Sequence, residues 1–217
     1  MKPSFRAALT TAICAGVLAV STLASATPIT FHVAVNTAPL VGNASGPFAI
    51  DFQLNDGGGG VSNTATLFNF GFGGGAPLGP ANLTGGASGN LSSVVALNDS
   101  GFLNEFYQTF TAGSSFSFDV ILSRNVDTPQ PDAFSFAILD KNLFNIATTG
   151  LGDSLVFVNI DSPTLGVPNV QTASAQAPFA NVAAVASPIP EPGSLVLLAV
   201  GLVAAGARRW QRRASRV

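Results

Sequence analysis

The sequence predicts an all-β protein: a single antiparallel β-sandwich or jelly-roll-like domain, followed by a linker and a short C-terminal transmembrane helix. Apolar and polar residues alternate in many short segments, and glycine, proline, asparagine and aspartate separate these segments. No segment before the C-terminal tail shows a long 3.6-residue pattern. About 135 residues suffice for one hydrophobic core, and seventeen phenylalanines give that core bulk.

Eight segments alternate in this way, and a ninth short strand is an option at 170–174. The eight predicted strands cover residues 29–35, 48–54, 61–72, 91–97, 102–110, 116–122, 134–138 and 154–160. Since side chains alternate between the two faces of a strand, six phenylalanines are predicted to point inward: Phe48, Phe52, Phe116, Phe118, Phe134 and Phe136. Even spacing also places Phe102, Phe106 and Phe110 on one face of their strand.

A glycine-rich segment at 71–89 is predicted to be a loop or an irregular crossing between sheets. It contains eight glycines in nineteen residues. Residues 71–76 formally match a dinucleotide fingerprint, but such a fingerprint needs a helix immediately afterwards. Pro77, Gly79 and Pro80 follow instead, so this interpretation is rejected.

Charge and composition exclude several function classes. Between residues 27 and 190 the chain has two basic and ten acidic residues, a net charge of −8. Nucleic-acid binding needs clustered lysine and arginine, so it is not expected. The one cysteine, Cys14, lies near the N-terminus, which excludes disulfides and thiolate metal sites further along. A histidine-dependent catalytic site would have to use His32, the one histidine.

The N-terminus has the organisation of a secretory signal peptide, predicted at residues 1–26. Lys2 and Arg6 precede an uncharged apolar run at 7–23. Ala24 and Ala26 then provide the small residues that signal peptidase needs, so cleavage is expected after Ala26. The alternative is an N-terminal transmembrane anchor. The run contains threonine, serine and glycine, which favours the signal peptide.

The C-terminus has the organisation of a membrane anchor with a cytoplasmic stop. Residues 195–207 are uncharged and apolar, and the helix is predicted at 194–207. It is shorter than the roughly 20 residues that usually span a bilayer. Five arginines follow in the Arg-rich tail at 208–217, and the positive-inside rule keeps that end in the cytoplasm. The membrane stop is assigned to Arg208, Arg209, Arg212 and Arg213. A buried core helix is the alternative.

Residues 188–213 resemble the PEP-CTERM sorting signal of Gram-negative bacteria. Pro190, Glu191 and Pro192 form the motif at 190–192, and the apolar helix and the arginines follow in the family's order and spacing. The sorting signal is therefore placed at 190–217. The resemblance implies that exosortase, a membrane-embedded enzyme, captures the tail and cuts near the motif. Glu191 is then a recognition residue of the substrate. The two prolines favour the extended backbone that a protease cleft binds.

The domain itself is predicted at 27–180, with a linker at 181–189. The low-complexity part begins near residue 162, because 162–190 carries no charge and is rich in proline, alanine and valine. The segments 63–75, 104–111 and 131–140 also resemble a recurring domain of PEP-CTERM proteins. That resemblance supports a single domain and implies no activity.

Candidate chemistry within the domain is sparse. Glu105 is its only glutamate, and paired with an aspartate such as Asp99 it would resemble the acid and nucleophile of a glycosidase. The alternative is a solvated strand carboxylate. Asp127 and Asp132 bracket a proline-containing loop and, with Asp99 or Asp56, are weak candidates for a structural Ca²⁺ site. Turn formation is the alternative role, and no catalytic residue, metal or cofactor is assigned.

Two function classes remain open at this stage. The first is a non-enzymatic surface or matrix protein that is exported across the inner membrane, anchored transiently, and released among exopolysaccharide. Its expected partners are signal peptidase, exosortase, the membrane before processing and extracellular polysaccharide. The second is a carbohydrate-active enzyme that uses Glu105. A cleft with another carboxylate 5–10 Å from Glu105 would favour the enzyme.

Overall fold

The computed structural model describes residues 28–58, 62–125, 131–160 and 170–189, together with residue 201. These residues form two antiparallel sheets and two short 3₁₀ turns, which confirms the predicted all-β class. The strands are β1 (Ile29–Asn36), β2 (Phe48–Asn55), β3 (Thr64–Gly71), β4 (Ala76–Pro77), β5 (Asn82–Thr84), β6 (Gly86–Gly89), β7 (Val95–Asn98), β8 (Leu103–Thr111), β9 (Ser115–Leu122), β10 (Ala133–Leu139), β11 (Val156–Asn159), β12 (Val170–Thr172) and β13 (Ala184–Pro188).

The two sheets form the layers of a sandwich. Sheet one has the strand order β13-β1-β9-β3-β7-β6. Sheet two has the order β12-β11-β10-β2-β8-β4, and β5 also pairs with β8. All described pairings are antiparallel, so each sheet can bury one face and expose the other.

The core lies between the sheets and is dominated by phenylalanine. All six phenylalanines that were predicted to point inward are buried, which confirms the alternation argument. Phe52 on β2 lies at the centre, with five aromatic rings at centroid distances of 5.0 to 6.4 Å. These rings belong to Phe70, Phe106, Phe118, Phe134 and Phe136.

The predicted placement of Phe102 on the inward face of its strand is wrong. Phe106 and Phe110 are buried as expected, but Phe102 is 79% exposed. Strand β8 begins at Leu103, so Phe102 lies in the preceding turn, where the alternation of the strand does not apply.

The glycine-rich segment is the expected crossing between sheets, although it also contains three short strands. The chain leaves sheet one after β3, contributes β4 and β5 to sheet two, and returns to sheet one with β6. A Cβ atom on Gly75 would lie 1.9 Å from the Thr111 carbonyl oxygen. The backbones approach so closely here that only glycine fits.

The predicted linker at 181–189 is part of the folded domain. Residues 184–188 form β13, which pairs with β1 over five residue pairs from Phe31↔Pro188 to Val35↔Ala184. Val182 is fully buried, and Phe179 and Ala184 belong to the same core. The uncharged composition indicated a linker, but here it reflects apolar burial and an edge strand of small residues. The domain therefore extends to Ile189, whose N–H donates to the Thr30 carbonyl oxygen at 3.0 Å.

The first and last strands of the described domain, β1 and β13, begin and finish respectively at the same end of the sandwich. This end is called the terminal end below. Ile29 at the start of β1 pairs with Leu122, and Pro188 at the end of β13 pairs with Phe31. Residues 56–58, 62–63 and 98–103 lie at this end too, because Thr64 pairs with Asn98 and Asn55 with Leu103.

Candidate functional site

The outer face of sheet one carries a connected polar cluster. His32 on β1 is the cross-strand partner of Asp119 on β9, and its Nδ1 lies 2.6 Å from Asp119 Oδ1. Asn69 on β3 donates its side-chain amide to Asp119 Oδ2 at 2.7 Å. Both carboxylate oxygens are thus held, and the three side chains are fixed across three strands. His32 is a hydrogen-bonding surface residue, and Asn69 and Asp119 were not identified from the sequence.

An irregularity in β3 builds this cluster. Asn69 has a φ of 54°, a left-handed conformation that asparagine adopts more readily than most residues. The register of β3 against β9 shifts between Phe68 and Gly71, as expected for a β-bulge. A bulge redirects a side chain, and here the amide of Asn69 reaches Asp119. Phe68 lies half-buried directly opposite Asp119 and adds an aromatic ring to the same face.

A second polar cluster lies on the outer face of sheet two. Gln53 on β2 donates its side-chain amide to Asp51 Oδ2 at 2.9 Å and to Glu105 Oε1 at 3.1 Å. The structure therefore places Glu105 beside Asp51 and not beside Asp99. Asp51 is only 1% exposed, and its Oδ1 has no hydrogen-bond partner among the described residues.

The buried carboxyl group gives the fold a pH dependence. Burial raises the pKa of Asp51 from 3.8 to about 7, and the neighbouring Glu105 carboxylate adds to this rise. Asp51 therefore ionises near pH 4 when unfolded and near pH 7 when folded. The folded state holds the extra proton between these values, so the contribution of Asp51 to stability is fully present below pH 4 and is lost as the pH rises to about 7.

We expect Asp51→Asn to remove most of this loss. A shift of about three pKa units corresponds to about 4 kcal/mol, and asparagine has no proton to lose. Urea unfolding at pH 4 to 8 measures the effect. Parallel declines for the wild-type and variant proteins would contradict the assignment to Asp51.

A third cluster ties loops together at the terminal end. The side-chain amide of Asn63 donates to Asp132 Oδ2 at 2.8 Å, and the Gly57 N–H donates to Asp132 Oδ1 at 2.8 Å. Asp99 accepts a hydrogen bond from the Asn63 N–H at 2.6 Å. Burial raises the pKa of Asp132, the two hydrogen bonds oppose this, and the Asp99 carboxylate adds to it.

This third cluster contains two of the residues that were considered for a Ca²⁺ site. Asp132 and Asp99 come together, as the calcium hypothesis required, whereas Asp127 lies outside the described residues. Within the described ranges, no group of three or more histidine, cysteine or acidic residues is arranged to hold a metal ion. Both Asp132 oxygens are already bonded to protein donors, so the arrangement serves to fix loops.

Strand β13 brings the chain directly to the tail. Pro188 is the last residue of the strand, and Ile189 is still hydrogen-bonded to β1. The next three residues in the sequence are Pro190, Glu191 and Pro192. A comparison with protein-family models matches residues 188–213 to the PEP-CTERM protein-sorting motif. The chain carries a PEP-CTERM sorting signal. No curated protein matches the chain, and neither does any solved structure.

The PEP-CTERM signal establishes the general role of the tail. It indicates an exported protein that exosortase recognises and processes at the membrane. The sequence resemblance at 188–213 is thus confirmed, with identical bounds. Several predicted features lie outside the described residues. They are the motif residues, the four assigned arginines, the helix predicted at 194–207 (apart from Gly201) and the signal cleavage site at Ala24 and Ala26. In the part of the chain that is described, no helix is long and apolar enough to cross a membrane.

Proposed function

We propose that this PEP-CTERM protein is a non-enzymatic cell-surface or extracellular-matrix protein of a Gram-negative bacterium. It crosses the inner membrane, is anchored transiently, is cut by exosortase and then associates with exopolysaccharide. The outer face of sheet one makes that association. One observation supports this choice most: Phe68, Asn69, His32 and Asp119 form a fixed aromatic and polar set on an exposed face.

The chemistry of this face suits a sugar polymer. Sugar hydroxyl groups both donate and accept hydrogen bonds, and amide, carboxylate and imidazole groups supply complementary partners. The Asn69–Asp119–His32 hydrogen bonds hold these side chains in place, which lowers the entropy cost of binding. The Phe68 ring offers an apolar surface to the C–H groups of a sugar ring. The net charge of −8 between residues 27 and 190 favours a neutral polysaccharide over an acidic one.

We expect Phe68→Ala to weaken binding of exopolysaccharide by at least about tenfold, because losing a central aromatic contact costs more than about 1 kcal/mol. Purified residues 27–189 include every described strand and are the protein to use. Affinity electrophoresis in the polysaccharide of the same cells, followed by a glycan array, measures the effect. Phe157→Ala is the matched control, because Phe157 is also half-buried and lies on β11 of the other sheet. Unchanged binding by Phe68→Ala, or equal losses in both variants, would contradict the assignment.

The alternative is a carbohydrate-active enzyme that uses Glu105 with an aspartate. The specific observation in its favour is the shared Gln53 donor, which keeps the acceptor oxygens of Glu105 and Asp51 within about 6 Å, close to the spacing in retaining glycosidases. Against it, a general acid must reach the substrate, and Asp51 is almost fully buried. Polysaccharide hydrolysis that is abolished in Glu105→Gln would favour the enzyme.

A further inference from the structure

Strand β13 is both the edge of sheet one and the start of the sorting signal. On one side it pairs with β1, and in the described part of the chain its other side has no strand. The backbone hydrogen bond of Ile189 to Thr30 ends this pairing, and Pro190 is the next residue. No spacer separates the folded sheet from the motif that exosortase recognises.

The two halves of the C-terminal segment at 182–189 differ in how strongly they are bound to the rest of the domain. Upstream, Val182 is fully buried, its carbonyl oxygen accepts the Ala175 N–H at 2.7 Å, and the Asn36 N–H donates to Ala183 at 3.2 Å. Downstream, Val185 is 63% exposed and Ser187 and Pro188 are exposed. The downstream half is therefore held mainly by the backbone hydrogen bonds of one edge.

Opening the downstream half of this segment requires little free energy. Each backbone hydrogen bond contributes little net stability, and Pro188 has no N–H to donate. Ala186, Ser187 and Pro188 are small or exposed, and the Ile189 side chain is only partly buried. Local opening of residues 186–189 therefore costs far less than unfolding of the domain, while Val182 and Phe179 stay anchored.

The stretch of chain between the folded domain and the apolar segment is short as well. Only residues 190–194 separate Ile189 from the apolar segment that begins at Leu195. Fully extended, five residues span about 18 Å. An enzyme that binds an extended substrate on both sides of the bond has no free residues upstream of the motif unless β13 opens.

We propose that exosortase binds residues 186–189 together with the motif, and that this part of β13 leaves β1 before the chain is cut. The proposal rests on exosortase processing, as set out under the proposed function. It makes the edge strand part of the recognised segment, with Pro190, Glu191 and Pro192 following it. A disulfide that fastens β13 to β1 should then block processing without altering the motif.

The test is a His32→Cys/Ser187→Cys variant of the full chain in exosortase-containing cells. The two positions are Cα partners, and facing antiparallel residues lie about 4.5 to 5.5 Å apart, within the range for a disulfide. Cys14 lies in the predicted signal peptide, so an exported chain without it has no competing thiol. We expect the oxidised variant to be cut at least about tenfold more slowly than the wild-type chain, and added reductant to restore cutting.

The matched control is a disulfide between two strands that the proposal does not require to separate. Ala34→Cys/Ser117→Cys links β1 to β9, again between Cα partners, and should be processed at the wild-type rate with or without reductant. Equal processing of both oxidised variants would overturn the opening of β13, provided that wild-type cutting requires exosortase. Wild-type cutting that does not require exosortase would instead contradict the proposed function.

Amide hydrogen exchange in the purified full chain provides a second measurement. The Ile189 amide should exchange at least about tenfold faster than the Asn36 amide, although both are bonded between β1 and the C-terminal segment. Equal protection of the two amides would also contradict easy opening.

Discussion

Phe52→Ala is expected to remove about 3 to 5 kcal/mol from the free energy of unfolding of the domain. Phe52 is fully buried and its ring contacts five other aromatic rings drawn from both sheets. Removing its side chain leaves a cavity that refills only in part. A typical domain has only about 5 to 15 kcal/mol of stability, so this loss is a large fraction of the total.

Denaturant unfolding of residues 27–189 measures this loss. Phe102→Ala removes the same atoms from a side chain that is 79% exposed, and it should change the free energy of unfolding by less than about 0.5 kcal/mol. Similar losses in the two variants would contradict the assignment of Phe52 to the centre of the core.

Glu191→Ala is expected to stop the release of the protein while leaving the domain folded. The substitution lies beyond Ile189, the last described residue that is bonded to sheet one, so it removes no described contact. It keeps the apolar segment and the arginines, which should retain the chain in the inner membrane. Uncut precursor should therefore accumulate there, with its domain outside the cytoplasm. Membrane fractionation and intact mass provide the measurement, and Ser194→Ala, which leaves the motif intact, is the control.

Deleting the residues after Gly193 should have the opposite outcome. The truncated chain lacks the apolar segment and the five arginines, so nothing holds it in the membrane and it should appear as a soluble exported protein. Release of the Glu191→Ala chain at the wild-type size would contradict a recognition role for the glutamate.

The sequence was sufficient to predict the layers and the core of this fold. Strands such as β2 and β9 place a large apolar residue at every second position, and burial of that face follows directly from the pattern. Strand β13 was missed because its five residues are small, and only Ala184 is buried. Its place depends on pairing with β1, about 150 residues earlier in the chain, which no local pattern reveals.

The polar clusters were predictable only in part. Glu105 and Asp132 were identified because charged residues are rare in this domain, but their partners were not. Asp51 sits in an alternating strand like any solvent-facing residue, and its burial depends on the three-dimensional packing. The Asn69–Asp119–His32 cluster depends on a register shift in β3. The local signal for the bulge is Asn69 with Gly71 two residues later, because both residue types favour irregular backbone.

Processing of the wild-type chain with and without exosortase tests the central claim most directly. Matched cells that differ only in the exosortase gene should be fractionated, and the mass of the protein in each fraction measured. We expect a shortened, released chain that ends near Pro190, Glu191 and Pro192 when exosortase is present, and a full-length membrane-bound chain when it is absent. An identical product in the same fraction of both cells would show that the tail is only an anchor, and would contradict the account.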